Sequence, residues 1–339
     1  MLDLEQLAQQ CGLKVPSASV IICAHNQAEF IADTIQSVAA QRFKNFQCVV
    51  VDDASSDGTV ERVLKCLADM GDDRFQLVPR SQNGGQMAAM LTGLDCVDEP
   101  FVAFLDGDDM YHPDFLGYHV QAHMSAAGTA AVSSSDLFII DDRAMILAGG
   151  FPPFHKTDPR TPGHEMRNLT LGKVNGSDLT FVPAAHAAWI WSATSGMVFR
   201  RSVLDLAKPA DPSAIRICAD DYWAHIAHVI GGSVRIEKPL GMYRVHNGNR
   251  WANSCFLGDL LELGAAHKDV RESIQLAVAE QLCAVAEQVA DYDRHKQVAR
   301  SVIDMLGPGR SMRLCATNSQ AYDVLWKHLP TTPGSGATS

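Results

Sequence analysis

The sequence predicts an α/β protein: a mostly parallel sheet flanked by helices, with a helical extension after it. Three observations carry this. Short apolar runs alternate with helix-spaced segments through residues 19–105. Those runs lack the apolar/polar alternation of a half-exposed strand, as parallel strands covered on both faces do. From about residue 253 onward the apolar spacing turns helical throughout.

Ser19–Cys23 (SVIIC) reads as the first strand, and Glu29–Ala40 as a helix through Phe30, Ile31, Ile35 and Val38. Gln47–Val51 (QCVVV) is a second buried strand and Thr59–Met70 a second helix. Phe75–Val78, Gln86–Val97 and Phe101–Leu105 (FVAFL) continue the series as strand, helix and strand. Phe181–Phe199 carries no Asp, Glu, Lys or Arg and has the length of a membrane span. Pro183, His186, Ser192, Thr194, Ser195 and Gly196 interrupt it, so it reads as a buried wall and loop, and no transmembrane segment is expected. Later, Leu257, Leu260, Leu261 and Leu263, then Ile274, Leu276, Val278 and Leu282, then Val298, Val302 and Met305 predict two or three helices. These helices would pack on the core or on a second copy of the chain.

With 339 residues, 47% hydrophobic and 20% charged, fibrous and largely disordered classes are excluded. A net charge of -11 argues against nucleic acid as a partner. Residues 1–143 hold 21 acidic against 8 basic residues and the remainder 18 against 20, so the excess acid lies in the strand-rich first part. Nine scattered cysteines without a C-x-x-C pair fit reduced thiols in the cytoplasm, and Met1–Pro16 lacks the basic start and apolar run of a signal peptide. Basic residues in the helical region, interrupted by acids, leave room for weak peripheral contact with the inner face of a membrane.

Ligands of parallel α/β sheets bind beyond the carboxyl ends of the strands. Those ends here are Ala24-His25-Asn26, then Asp52-Asp53-Ala54-Ser55-Ser56-Asp57-Gly58-Thr59, then Asp106-Gly107-Asp108-Asp109. Crowding acids on one edge implies a counter-charge, and oxygen ligands suit Mg²⁺ or Mn²⁺ shared with substrate phosphates. Ser55, Ser56 and Asp57 read as turn and helix-cap residues and Asp53 as functional. Asp106-Gly107-Asp108 directly after a buried strand sets two carboxylates on one side of a tight turn, and a structural turn needs only one.

Together with Asn26, Ser37 and Gln41, the segments VVVDDASSDGT and LDGDDMYHPDFL resemble the family 2 glycosyltransferases. Thr194–Arg200 resembles the acceptor-side loop of that family, Ala219-Asp220-Asp221-Tyr222-Trp223 its "ED" element and Tyr243-Arg244-Val245-His246 its late Y-R-x-H. Five motifs stand in the family's order across about 230 residues. The sequence departs from the pattern at Ala24, where Pro is common, at Asp220, usually Glu, and at Met90, often Asn.

The resemblance implies a GT-A fold, Rossmann-like and mixed, and inverting transfer of a sugar from a nucleotide-diphosphate sugar, with a UDP-sugar favoured. The acceptor would be a glycan or glycolipid hydroxyl in surface polysaccharide or glycoconjugate synthesis. It places the metal on Asp108, with Asp106 on the ribose or metal side and His246 approaching the metal or diphosphate. Asp53 would accept hydrogen bonds from the base, with Ala24, His25 and Asn26 lining its pocket and Gly85 and Gly107 completing the cofactor-binding set. Asp221 is the expected general base, and a single carboxylate opposite the leaving group implies inversion. Trp191, Thr194, Ser195, Gly196 and Asp220 are assigned to the acceptor side; for Asp220, capping of a helix N-terminus stays open. His225 and His228 read as ordinary helix residues.

The implied organisation is a transferase domain over residues 1–250, with a nucleotide part near 17–143 and an acceptor part near 144–250. A helical extension, 251–329, would offer a homo-oligomer surface, and 330–339 a disordered tail. A nucleotidyltransferase would open with a Gly-rich basic loop after the first strand, where this chain has Ala24-His25-Asn26-Gln27-Ala28-Glu29. A non-catalytic nucleotide-sugar-binding subunit would show damage at Asp108 or Asp221, and both are present.

Overall fold

The computed structural model describes residues 10–125, 130–151, 170–174, 177–185, 189–246, 266–289 and 292–330. Strands β1 (Ala18–Ala24), β2 (Phe46–Asp52), β3 (Phe75–Pro79) and β4 (Phe101–Asp106) form a parallel set in the order β3-β2-β1-β4. Each predicted strand is present and extended by a residue at one or both ends. Helices α1 (Ile31–Ala39), α2 (Thr59–Met70) and α3 (Gln86–Leu94) connect them. The third stops before the predicted Val97, where the amide of Asp95 closes the last turn on the Leu91 carbonyl at 3.0 Å.

Both faces of this half are covered, which explains the continuous apolar runs. Ile21, Val49, Val51, Val102 and Phe104 point into one core, and Val20, Ile22, Val50, Ala103 and Leu105 into the other.

After the short β5 (Met110–Tyr111) and α4 (Phe115–Ser125), the second half is mixed. It comprises β6 (Val132–Ile140), β7 (Ile146–Ala148), β8 (Thr170–Val174), β9 (Ser177–Val182), β10 (Met197–Arg200) and β11 (Ser233–Arg244). The sheet continues from β4 as β10-β6-β11-β9-β8, with β10 antiparallel to both β4 and β6, and β6 parallel to β11.

This topology places the site. Because β10 runs against β4, the single 3₁₀ turn Thr194–Gly196 that precedes it lies at the edge where β4 ends in Asp106. β6 and β11 run with β4, so Arg244 reaches the same edge. Helices α5 (Arg201–Leu206) and α6 (Ala219–Gly231) follow β10, and α6 leads into the start of β11, which sets its N-terminus there too.

Four C-terminal helices follow among the described residues: α7 (Ala266–Val285), α8 (Tyr292–Leu306), α9 (Pro308–Thr317) and α10 (Ser319–Leu325). The expected helical pattern at Leu257–Leu263 and the expected tail from residue 331 lie outside the described residues. Ile274, Val278, Leu282, Val298, Val302, Leu314 and Leu325 share one core with Trp223, Ile226 and Ile230 of α6. The extension therefore buttresses the helix that carries Asp220 and Asp221.

Buried histidines in α4 make stability pH-dependent. His119 and His123 are fully buried and share the Ser133 hydroxyl, at 2.7 and 3.0 Å. Burial holds both below the usual histidine range, His123 at about 4. At these two sites the unfolded chain therefore binds more protons between pH 6.5 and 4, and their contribution to stability falls as pH drops through that window. In denaturant titrations the difference in unfolding free energy between wild type and His123→Gln should change by on the order of 3 kcal/mol across the window, the other titrating groups being common to both.

Candidate active site

The loops after β1 and β2 brace one another. Asn26 sits at φ 56°, a left-handed conformation that asparagine tolerates. Its amide donates to Ser55 Oγ at 2.8 Å and its side-chain oxygen accepts from the Ser56 amide at 2.9 Å. Asp57 accepts from the amides of Ala28 and Thr59, both at 3.0 Å, so the turn-and-cap reading of this segment extends across two loops. His25 and Asn26 are exposed and Ala24 is buried at the strand end.

Asp53 is buried, and the chain itself engages its carboxylate. Oδ1 accepts from the Gly84 amide at 3.0 Å and pairs with Arg80, while Oδ2 accepts from the Gly85 amide at 2.7 Å. Oδ2 keeps one lone pair for a ligand N–H. Gly85 has φ 86°, and a Cβ there would come within 2.5 Å of the Arg216 carbonyl oxygen, so only glycine fits.

The turn after β4 packs on the end of β1. The Gly107 amide donates to the Cys23 carbonyl at 2.9 Å, and a Cβ on Gly107 would stand 3.2 Å from Ala24. Its φ is ordinary, so what favours glycine here is close approach: a side chain would need β1 to give by a few tenths of an ångström. Asp109 points inward, accepting from Ser195 Oγ at 2.5 Å and from the Arg244 amide at 2.8 Å. Arg244, fully buried, donates to the Asp108 carbonyl at 2.7 Å and lies over the Phe30 ring. With the turn fixed by these contacts, Asp106 and Asp108 keep partly open carboxylates at the edge. His246 Nε2 stands 3.0 Å from Asp108 Oδ2.

The acids gathered here raise one another. Burial, then the charges of Asp108 and Asp220, push the Asp106 carboxyl up to about 7. Burial followed by Asp221 pushes Asp220 up to about 6. Among the described residues no three His, Cys, Asp or Glu side chains are gathered to hold a metal ion, so the expected trio Asp106, Asp108 and His246 is not a ready-made cage. His246 hydrogen-bonds Asp108 instead. Two neighbouring carboxylates whose repulsion is unrelieved do fit a hard cation that completes its shell from water and diphosphate oxygens.

One residue ties the two acidic groups together. Gln86 Nε2 donates to Asp106 Oδ1 at 3.1 Å and lies 3.3 Å from Thr194 Oγ1, while its Oε1 accepts the Ala219 amide at 3.0 Å. In the sequence Gln86 stands only as the end of Asn83-Gly84-Gly85-Gln86 after a strand, with no local signal to mark it. Gln86→Leu removes both bonds at similar volume and leaves the Ala219 amide unpaired. It is expected to lower kcat/KM about tenfold or more, with the melting temperature falling by only a few degrees, measured by steady-state kinetics and calorimetry.

The acceptor-side expectations divide. Thr194 is buried, accepts from Gln86 at 3.3 Å and stands beside the carboxyls of Asp106 and Asp220, lowering both. Ser195, fully buried, supports the turn through Asp109 and the Asp106 amide, and Gly196 is buried beside it. Trp191 does not fit its acceptor-side assignment: it is fully buried with its indole N–H on Ser233 Oγ at 2.9 Å, so no ring face is open. Asp221, at the first turn of α6, lies with Oδ1 2.7 Å from His225 Nδ1. That partner was read as an ordinary helix residue, although its spacing of four from an acid was visible.

Residues 19–177 match the family model of glycosyl transferase family 2. The succinoglycan biosynthesis protein ExoO of Rhizobium meliloti is 27% identical over 238 residues, 70% of this chain and 63% of that protein. The first curated relatives the chain matches are spanned over only 62–65% of their length. Among solved structures, residues 1–349 of S. aureus TarS in complex with UDP-GlcNAc superpose with a TM-score of 0.57 at 14% identity, covering 93% of this chain and 82% of that one. The mannosyltransferase PcManGT of Pyrobaculum calidifontis, in complex with GDP-Man and Mn²⁺, gives 0.50 at 16% identity, covering 93% and 79%. At such identities these likenesses bear on the fold, which is GT-A.

Proposed function

We propose that the chain, whose residues 19–177 match the model of glycosyl transferase family 2, is a glycosyltransferase of that family that moves a sugar from a nucleoside-diphosphate sugar to an acceptor hydroxyl, with metal dependence and inversion. The observation that carries the proposal is the convergence of Asp53, Asp106, Asp108, Asp220 and Asp221 on one sheet edge, from three segments far apart in sequence. No other use of so much partly buried acid is as economical as a cation-bound diphosphate with a base opposite it.

Each residue then has a task. Asp53 Oδ2 takes an N–H of the base, which favours uracil and its imide, with Ala24, His25 and Asn26 beside it. Asp106 and Asp108 hold Mg²⁺ or Mn²⁺, which when bound would neutralise charge on the leaving diphosphate. His246 orients Asp108, and Gln86 sets the spacing between Asp106 and the start of α6. Asp221 removes the acceptor proton as its oxygen attacks the anomeric carbon, and the lone base implies a single displacement with inversion. The acceptor proposed is a glycan or glycolipid of surface polysaccharide synthesis, a reading supported by the similarity to ExoO, which is named for succinoglycan biosynthesis. Among the described residues no helix is long and apolar enough to cross a membrane.

A thermal-shift panel of UDP-, GDP-, TDP- and CMP-sugars, with and without Mn²⁺, tests this reading. One nucleotide class should raise the melting temperature in the presence of the metal, because a ligand of the folded state stabilises it by mass action. No shift with any donor would overturn it.

A further inference from the structure

Asp221 is not a free-standing carboxylate. His225 Nδ1 lies 2.7 Å from Asp221 Oδ1 and 2.8 Å from the Asp221 carbonyl oxygen, one helical turn away on α6. An ionised carboxylate and a carbonyl are acceptors only, so the proton between them belongs to Nδ1 and the imidazole is the donor. The ring has little freedom. Trp191 meets it edge-on with centroids 5.1 Å apart, and Trp189 stands at 6.2 Å. Trp191 is itself fixed by its bond to Ser233 Oγ, which also binds His228 Nδ1 at 2.8 Å. A buried indole thus braces an imidazole, and the imidazole holds one oxygen of the Asp221 carboxylate. Both side chains keep about one sixth of their surface open, 15% for His225 and 16% for Asp221.

We infer that His225 is the positioning residue of the transfer reaction, fixing the Asp221 rotamer so that Oδ2 faces the acceptor hydroxyl. The inference rests on the reading of Asp221 as base. An imidazole N–H on one carboxylate oxygen restricts the side chain to one arrangement before substrate arrives, in the manner of an orienting partner of a catalytic base. Burial disfavours the imidazolium, but the Asp221 carboxylate outweighs that and raises the histidine, with Arg271 from α7 acting in the opposite sense. The same contacts give Trp191 a role: it is the wall behind His225.

Three variants of the full chain test this. His225→Leu removes the donor at similar volume. His225→Asn restores a donor at the same δ position. Asp221→Asn tests the base itself. His225→Leu is expected to lower kcat about 10- to 100-fold with donor affinity and KM nearly unchanged, and His225→Asn to recover most of the loss. A leucine variant that turns over at the wild-type rate would overturn the inference, as would an asparagine variant as slow as the leucine one. Circular dichroism and melting temperature show whether each variant is folded, and the asparagine variant keeps the test decisive where leucine disturbs the helix. Failure of the base reading shows separately, as an Asp221→Asn enzyme that remains active.

Discussion

Asp221→Asn is expected to lower kcat by about 10²- to 10⁴-fold, the contribution of a positioned general base, while nucleotide and Mn²⁺ affinity stay within about twofold of wild type. The substitution is isosteric and keeps an oxygen that His225 can hold at the distance it now holds Oδ1. What it loses is the ability to accept a proton. The dissociation between turnover and binding follows from position: Asp221 sits at the first turn of α6, tied to His225, whereas Asp220 stands beside Thr194 and lies in the field that raises Asp106. Coupled detection of released nucleoside diphosphate, with calorimetric titration of the same preparation, separates the two quantities. An Asp221→Asn enzyme of wild-type activity would remove the base from the mechanism.

Asp108→Asn should weaken metal-dependent binding of the nucleoside diphosphate on the order of a hundredfold and leave metal-free binding unchanged. Two carboxylates, Asp106 and Asp108, face the edge, and deleting one charge a few ångströms from a dication removes several kcal/mol at an effective dielectric near 20. The amide preserves a partner for His246 and Gln27, which stand 3.0 and 3.4 Å from Oδ2, so the turn stays in place. Its backbone is fixed independently, by Arg244 on the Asp108 carbonyl and by Gly107 on β1. Isothermal titration with and without Mn²⁺ reads the effect directly.

The parallel half of the fold was legible because its strands bury both faces. SVIIC, QCVVV and FVAFL have no polar interruption, and each ends in the residues that matter. Register turns those endings into a site: Ala24 pairs with Asp52, and Cys23 with Asp106, across neighbouring strands. The second half was legible only as motifs, because β10 enters between β4 and β6 after a long excursion that no local periodicity announces. Contacts between distant residues were beyond reach for the same reason. Nothing in the sequence says that Gln86 reaches both Asp106 and Ala219, or that Ser195 secures Asp109. The acceptor-side assignment of Trp191 fails because an indole in an uncharged run suits a site wall and a core equally; burial decides, and the ring is enclosed. Asp53 reads in the sequence as unlike its capping neighbours, yet most of its acceptor capacity serves the Gly84-Gly85 turn and Arg80. His225 was visible at a spacing of four from Asp221, but a lone Asp–His pair on a helix carries too little information until its distance is known.

The central claim is that Asp106 and Asp108 together hold a divalent cation on the diphosphate of a bound nucleotide. Electron paramagnetic resonance of free Mn²⁺ tests it most directly, using the full chain, its Asp106→Asn/Asp108→Asn double variant, and the nucleoside diphosphate that gives the largest thermal shift. Wild-type protein and nucleotide together are expected to remove much more Mn²⁺ signal than the nucleotide alone, and the double variant to remove no more than the nucleotide alone. Equal sequestration by wild type and double variant would contradict the assignment.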